Sequence, residues 1–255
     1  MDKKGLYIYP LLTLLILAIF WQIFVSTGGI SPWLLPSPLQ IISSLGENWS
    51  LLWVNAFYTL FEALLGLSIA IIFALCLALL MTIFPVLKKS LYPILVGSQM
   101  VPIIVLAPLF LIWFGYGILP KILVVILICF FPMVINILMG LDSLDRDMLL
   151  FYSSMGAKPW ALFRLIRLPA ALPYFFSGLR ISATYSIMGA VIGEWLGAAK
   201  GIGLLLTRAQ RAFDLPLVFA AITVIIILST LAFFLVYLAE RFFLKWQYTT
   251  GKTDS

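Results

Sequence analysis

The chain has 255 residues, of which 64% are hydrophobic and 10% charged, with a formal net charge of +6 and no histidine. A soluble domain carries about 25% charged residues, so there is too little polar material here to cover a water-facing surface, and lipid is the solvent for most of the chain. The missing histidine excludes a Ser-His pair and an HExxH site, and the basic residues punctuate apolar runs instead of forming a patch that would hold nucleic acid.

A membrane-crossing helix needs about 20 apolar residues to span roughly 30 Å of hydrocarbon. Six stretches qualify, at about 6–25, 55–83, 94–114, 120–140, 174–197 and 216–239. Their unbroken apolar character excludes the alternating pattern of a barrel. The expected fold is all-α, one domain over residues 1–255 with six transmembrane helices. The first run follows Lys3 and Lys4 as in a secretory signal, but it is too long for a signal core and no clean cleavage site follows, so it reads as a retained span. Pro32, Pro36 and Pro38 then predict an extended stretch, and 39–53 a helix along the interface with Trp49 and Trp53 at headgroup depth.

Glu62 lies about two turns into the second span. A carboxylate there either lines a pathway or serves a structural partner, with Arg180 the candidate. Gln99, Pro102 and Pro108 predict a third span kinked beside a cavity, and Asn136 in the fourth is a further polar candidate. The fifth span has small residues at Gly178, Ser182, Ala183, Ser186, Gly189, Ala190 and Gly193, the pattern of a central, closely packed helix. Glu194 closes it, and Gly197, Gly201 and Gly203 follow as a gate or a re-entrant connector. The aliphatic sixth span, ending at Glu240 and Arg241, is expected to face lipid, and Cys76 and Cys129 to be small buried residues.

With the N-terminus in the cytoplasm, the inner segments hold Lys3, Lys4, Lys88, Lys89, Arg146, Lys158, Arg164, Arg167, Arg241, Lys245 and Lys252. The outer ones hold Lys121, Lys200, Arg208 and Arg211. That bias places both termini, and the polar stretch 141–173, inside. The stretch is both charged and apolar: Asp142, Asp145, Arg146, Asp147, Lys158, Arg164 and Arg167 alternate with Met155, Trp160, Phe163, Leu165 and Ile166. Ser153 or Ser154 is placed to end a helix, Gly156 permits a sharp turn, and Pro159 suits the first turn of a short helix. Trp160, Phe163 and Ile166 recur on one face, leaving Lys158, Arg164 and Arg167 wet. On the residues alone this is either a docking helix or an amphipathic helix lying on the membrane. The aspartates read as caps and solvated charges, and there is no GxxxxGK[ST] phosphate loop.

Gly156, Ile166, Leu168 and Pro169 reproduce the second half of a known pattern, EAA-x3-G-x9-I-x-L-P, between the fourth and fifth spans. In this the chain resembles the permeases of type I, binding-protein-dependent ABC importers. The EAA positions themselves are Leu150, Phe151 and Tyr152, a departure from the family. Leu35 to Pro38, the PLFLIWFGYG run and GEWLGAAKGIG are similar to the nitrate, sulfonate, taurine and thiamine-precursor branch. The resemblance implies a multi-pass protein of the bacterial inner membrane that is no enzyme itself. It implies a second permease copy, two cytoplasmic ATPase subunits that bind ATP and Mg, and an external substrate-binding protein.

The implied coupling residues are Ser153, Ser154, Met155, Gly156, Ala157, Lys158, Pro159, Trp160, Phe163, Ile166, Leu168 and Pro169. The candidate pathway residues are Glu62, Gln99, Asn136, Ser186 and Glu194. A thiamine-pyrimidine precursor ranks first as substrate and a sulfonate or nitrate-like anion second; a secondary carrier and an intramembrane enzyme are the alternatives of other classes.

Overall fold

Apolar runs of this length become helices because each backbone polar group then finds its partner within the run. The computed structural model describes residues 5–28 and 34–246; Lys3, Lys4, Pro32 and Lys252 lie outside them. Among the described residues every regular element is helical.

The first helix, α1 (Gly5–Ser26), is almost wholly exposed along its described side chains, as a lipid-facing strap would be. It touches the rest mainly at its end, where Trp21 packs 6.1 Å from Phe219. Ser37 and Gln40 then form a reciprocal capping box that starts α2 (Pro38–Glu47). The helix expected over 39–53 is two helices, because Asn48 turns both its backbone and its side-chain amide onto the Ser44 carbonyl, at 3.0 and 3.1 Å. A new helix, α3 (Trp49–Ile83), begins at once. Its buried stripe is Ala63, Gly66, Ala70, Ala74 and Ala78, spaced three or four apart.

The third span is an elbow, not the single kinked rod expected over 94–114. Helices α4 (Pro85–Ser98) and α5 (Ile103–Phe114) meet at 98° across a four-residue break. Pro102 sets the break: it lacks a donor, and its ring pushes the preceding residue out of helical geometry. Pro93 and Pro108, in contrast, sit inside α4 and α5. Among the described residues five helices are long and apolar enough to cross a membrane, six if the elbow counts as one span.

The centre is α6 (Ile118–Asp142) against the later α9 (Leu168–Trp195). Between them, Asp145 caps α7 (Arg146–Ser154) by accepting from the Asp147 amide. A short α8 (Pro159–Leu162) then runs through a π turn at Phe163–Arg167 directly into α9. The fifth span therefore has no boundary near 173; Pro159–Trp195 is one continuous helical path, with Pro173 inside it. Pro169 crowds the carbonyl four residues back, and the wider π turn makes room for it, the Leu168 amide donating to the Phe163 carbonyl.

Beyond α9, a glycine turn leads to α10 (Ile202–Arg211), and then to α11 (Leu215–Phe243). The latter is not simply lipid-facing: it packs on α9, α10 and α2 and buries Glu240. Glu240 is the partner of Arg180, whose Nε lies 3.3 Å from Oε2 as an ion pair without hydrogen-bond alignment. Of the two free cysteines, Cys129 is buried and Cys76 exposed, since Cys76 lies off the alanine stripe of α3.

Lipid provides no hydrophobic drive for helix association, so close packing and interhelical hydrogen bonds have to supply it. The α6–α9 seam does both. Ser182 donates to the Cys129 carbonyl at 2.9 Å, and the Cys129 thiol donates back to the Ser182 carbonyl at 3.2 Å. A Cβ on Gly178 would come within 2.9 Å of the Asn136 Cβ and 3.2 Å of the Pro132 carbonyl oxygen. Gly178→Val is therefore expected to destabilise the bundle by about 1–3 kcal/mol, the usual overpacking cost. Gly97→Ala, which meets open space, should leave the thermal midpoint in detergent unchanged.

Candidate functional site

The stretch between α6 and α9 forms a protruding elbow. Helix α7 ends where Gly156 takes a positive φ of 85°, the Gly156 amide bonding the Ser153 carbonyl at 3.0 Å and the Ala157 amide the Tyr152 carbonyl at 3.2 Å. This paired return is a Schellman closure, and it places a glycine where an L side chain is strained. Ser153 and Ser154 turn their hydroxyls onto the Leu149 and Phe151 carbonyls instead of capping from outside. Pro159 opens α8 as expected.

The apolar residues of the elbow divide. Trp160 stacks on Phe163 at 5.9 Å but stays 69% exposed. Leu150, Phe151, Met155 and Leu165 are exposed with it. Phe163 instead turns into an apolar cleft of about 330 Å³ shared with Leu79, Ile137 and Phe175. Lys158 and Arg164 are exposed, while Arg167 and Ile166 are half-buried. Leu150 and Phe151 stand in the very positions where the motif departs from its family, and their exposure was not foreseen from the residues. At the base of the elbow, Lys88 of α4 pairs with Asp142 at the end of α6.

At the other end of the bundle, four helices converge on a buried polar cluster. Lys121, expected in an outer loop, sits in the first turn of α6, is buried, and pairs with Glu62. Arg180 is thus not the partner of Glu62. One turn before Glu62, Thr59 donates to Glu194 Oε1 at 2.6 Å and accepts from the Ile202 amide at 2.9 Å. Glu194, 0% exposed, takes the Gly203 amide on its other oxygen at 2.6 Å. Asn55 accepts from the Gly201 amide at 2.9 Å. The start of α10 is therefore capped from outside, by a carboxylate on α9 and polar groups on α3. This satisfies helix N-terminal donors and places negative charge at the positive end of the dipole.

Two further clefts lie beside the α6–α9 seam. One, of about 470 Å³, lies at the α10 end and is lined by Tyr58, Glu62, Tyr116, Lys121 and Lys200. The other, of about 650 Å³, lies inside the α4–α5 elbow, where Gln99 and Ser98 join Phe131, Tyr185 and Met188. The five candidate pathway residues are not brought together. Glu62 and Glu194 share the polar cluster and Gln99 lines the elbow cleft. Asn136 donates to the Pro132 carbonyl of its own helix against Gly178, and Ser186 donates to the Ala183 carbonyl in the core. Lys121 was the cluster member that sequence reasoning assigned elsewhere; its one-turn distance from the GYG turn is the signal that it enters a helix.

Replacing Lys121 by methionine would leave the Glu62 charge buried and alone. Such half-broken pairs cost about 3–5 kcal/mol, so Lys121→Met is expected to lower the thermal midpoint sharply. The double variant with Glu62→Gln should recover most of the loss.

Among the described residues the chain is a bundle of apolar helices with a broken span and an exposed apolar-and-basic elbow between its two central helices, the architecture of a multi-pass membrane protein. Residues 66–245 match the family of binding-protein-dependent transport system inner membrane components, and the chain belongs to it. It is 38% identical over 239 residues to the formylaminopyrimidine transport permease protein ThiX of Halalkalibacterium halodurans, covering 93% of this chain and 95% of the relative. It is 35% identical to the riboflavin transport system permease protein RibX of Chloroflexus aurantiacus, covering 92% and 88% of the two chains. It is also 30% identical to the taurine transport system permease protein TauC of Escherichia coli, covering 86% and 82%. It is thus a multi-pass inner-membrane permease of the ABC importer class, in the branch that includes sulfonate, taurine and thiamine-precursor permeases.

Proposed function

We propose that this permease imports a thiamine-pyrimidine precursor, receiving it from an external binding protein and passing it inward between two copies of the chain. Two ATPase subunits, holding ATP and Mg, dock on the elbow at 146–168 from the cytoplasm. The observation that carries this reading is the elbow itself: Trp160, Met155, Leu150, Phe151 and Leu165 are exposed together beside Lys158 and Arg164. An apolar patch with a basic rim marks a protein contact. The basic residues support the orientation, because moving Lys121 into the bundle leaves only Lys200, Arg208 and Arg211 outside.

Because α8 runs without a break into α9, a displacement of the elbow reaches the α6–α9 seam directly. ATP binding moves the two elbows and shifts the permease between inward- and outward-facing states, to the extent that the nucleotide complex binds those states differently. The chain itself moves solute and hydrolyses nothing. Similarity to ThiX favours the pyrimidine precursor; similarity to TauC and the exposed Lys200 beside the outer cleft favour a sulfonate as the second reading.

The test is reconstitution of the permease in liposomes with its ATPase and binding protein. Accumulation of labelled formylaminopyrimidine that requires ATP on the ATPase side supports the reading. Uptake driven by an ion gradient without the ATPase would establish a secondary carrier instead, and ATP-driven uptake of a sulfonate alone would establish the second reading.

A further inference from the structure

We propose that the corner between α10 and α11 is the surface on which the external binding protein docks, with Phe213 as its knob; the proposal rests on the importer reading above, which puts this corner outside, and names the contact that reading leaves open. Helix α10 closes as α7 does. The Phe213 amide bonds the Gln210 carbonyl at 3.2 Å and the Asp214 amide the Ala209 carbonyl at 2.9 Å, the paired return of a Schellman closure. At α7 the left-handed position of that closure is a glycine. At α10 it is Phe213, at φ +58°, the one positive-φ residue other than glycine among the described residues. A bulky side chain is an outlier there, and glycine would close the helix without strain. The fold recovers little in return, because Phe213 is 75% exposed. Strain that local packing does not offset points to a functional position: the backbone holds an aromatic ring out from the protein.

What surrounds Phe213 selects the occupant. Arg208 and Arg211, one turn apart on α10, are exposed, and neither is in an ion pair among the described residues. Their place at the C-terminal end suits the helix dipole, which accounts for the charges but not for the ring. Asp214, the next residue, lines a polar cleft of about 270 Å³ with Gln40, Ser43, Glu47 and Asn48. An aromatic knob beside arginines, next to a polar hollow, has the composition of a protein–protein hot spot. A membrane anchor would carry basic residues around its ring, and fluid lipid would accept a phenylalanine from any relaxed backbone. The carboxylates of Glu47 and Asp214 and the strained geometry favour a folded partner instead. Charge complementarity sets that partner's chemistry: an acidic face opposite Arg208 and Arg211, and an apolar pocket for the ring.

The experiment uses the permease with its ATPase in lipid nanodiscs and, as probe, the fluorophore-labelled binding protein, its affinity read by anisotropy at low and high salt. Phe213→Gly should weaken binding roughly 30-fold or more, the loss that defines a hot spot. The same variant should raise the thermal midpoint of the permease by roughly 2–4 °C, because the strain is relieved. Arg208→Gln combined with Arg211→Gln should weaken binding and flatten its salt dependence. Native affinity in Phe213→Gly, a lowered midpoint in that variant, or an unchanged salt dependence in the arginine double variant each overturns the proposal. So does a loss of affinity seen in nanodiscs but absent in detergent micelles, which would assign Phe213 to the bilayer. A change in permease copy number would assign it to the second copy and overturn the proposal as well. ATP-driven uptake by the native importer separates the failures: uptake with indifferent variants refutes this surface alone, and absence of uptake refutes the importer reading.

Discussion

Gly156→Val is expected to abolish ATP-driven uptake while leaving the permease folded in the membrane. At φ +85° the backbone lies in the left-handed region, where an L residue costs about 1–2 kcal/mol and a β-branched one is a true outlier. That cost corresponds to roughly a 5- to 30-fold loss in the population that keeps the Schellman closure. Nothing lies within 4 Å of a Cβ built there, so the bundle is not disturbed by a clash. The damage is confined to the angle between α7 and α8, and hence to where Trp160 and Met155 point. Gly156→Asp tests a second variable: aspartate tolerates this region better, but it sets a negative charge beside Lys158. Uptake and ATPase stimulation, measured with the amount of ATPase that co-purifies, decide the matter. Normal transport by Gly156→Val would show that the elbow does not couple.

Glu194→Ala should have the largest effect on stability. It removes the acceptor of the Thr59 hydroxyl and of the Gly203 amide at a site with no exposure. Hydrogen bonds to a charged group are worth about 1.5–3 kcal/mol each, and two are lost. The side-chain hydrogen bonds that remain at the start of α10 are then those of Thr59 and Asn55 on α3. Hydrogen exchange over 202–211 should accelerate far more than over α6. Glu194→Gln should be milder, its amide oxygen serving Gly203 and its NH2 group the Thr59 oxygen. The surroundings allow no substitute by crowding: a Cβ on Gly201 would meet the Glu194 carboxyl carbon at 2.2 Å, and one on Gly203 the Val191 carbonyl oxygen at 2.6 Å. Unchanged exchange in α10 would mean that its anchor lies elsewhere.

The residues that were legible in the sequence are those whose meaning is local. Gly156 and Pro159 signalled a turn and a helix start, and both stand where such residues must. The small positions of the fifth span correctly marked the central helix, because only residues without bulk let two backbones approach. The elbow at Pro102 was foreseen as a kink; its 98° was not, since the angle depends on what α4 and α5 pack against. The partners of Glu62 and Arg180 were misjudged for the same reason. Charge and depth made a Glu62–Arg180 pair plausible, but Glu62 lies in the half of the bundle near α10 and meets Lys121, while Arg180 meets Glu240.

The sequence by itself determined that this chain lives in lipid, that it is helical, and that a charged-and-apolar stretch ending in Gly156-x9-Ile166-x-Leu168-Pro169 separates two of its spans. Composition, run length and turn chemistry act within a few residues, so one dimension suffices for them. Only the tertiary structure decided that this stretch is continuous with the central helix, and that Glu194 caps α10 while Glu62 pairs with Lys121. Those facts depend on which helices become neighbours, and in lipid that choice is made by side-chain shape and by buried polar pairs far apart in the chain.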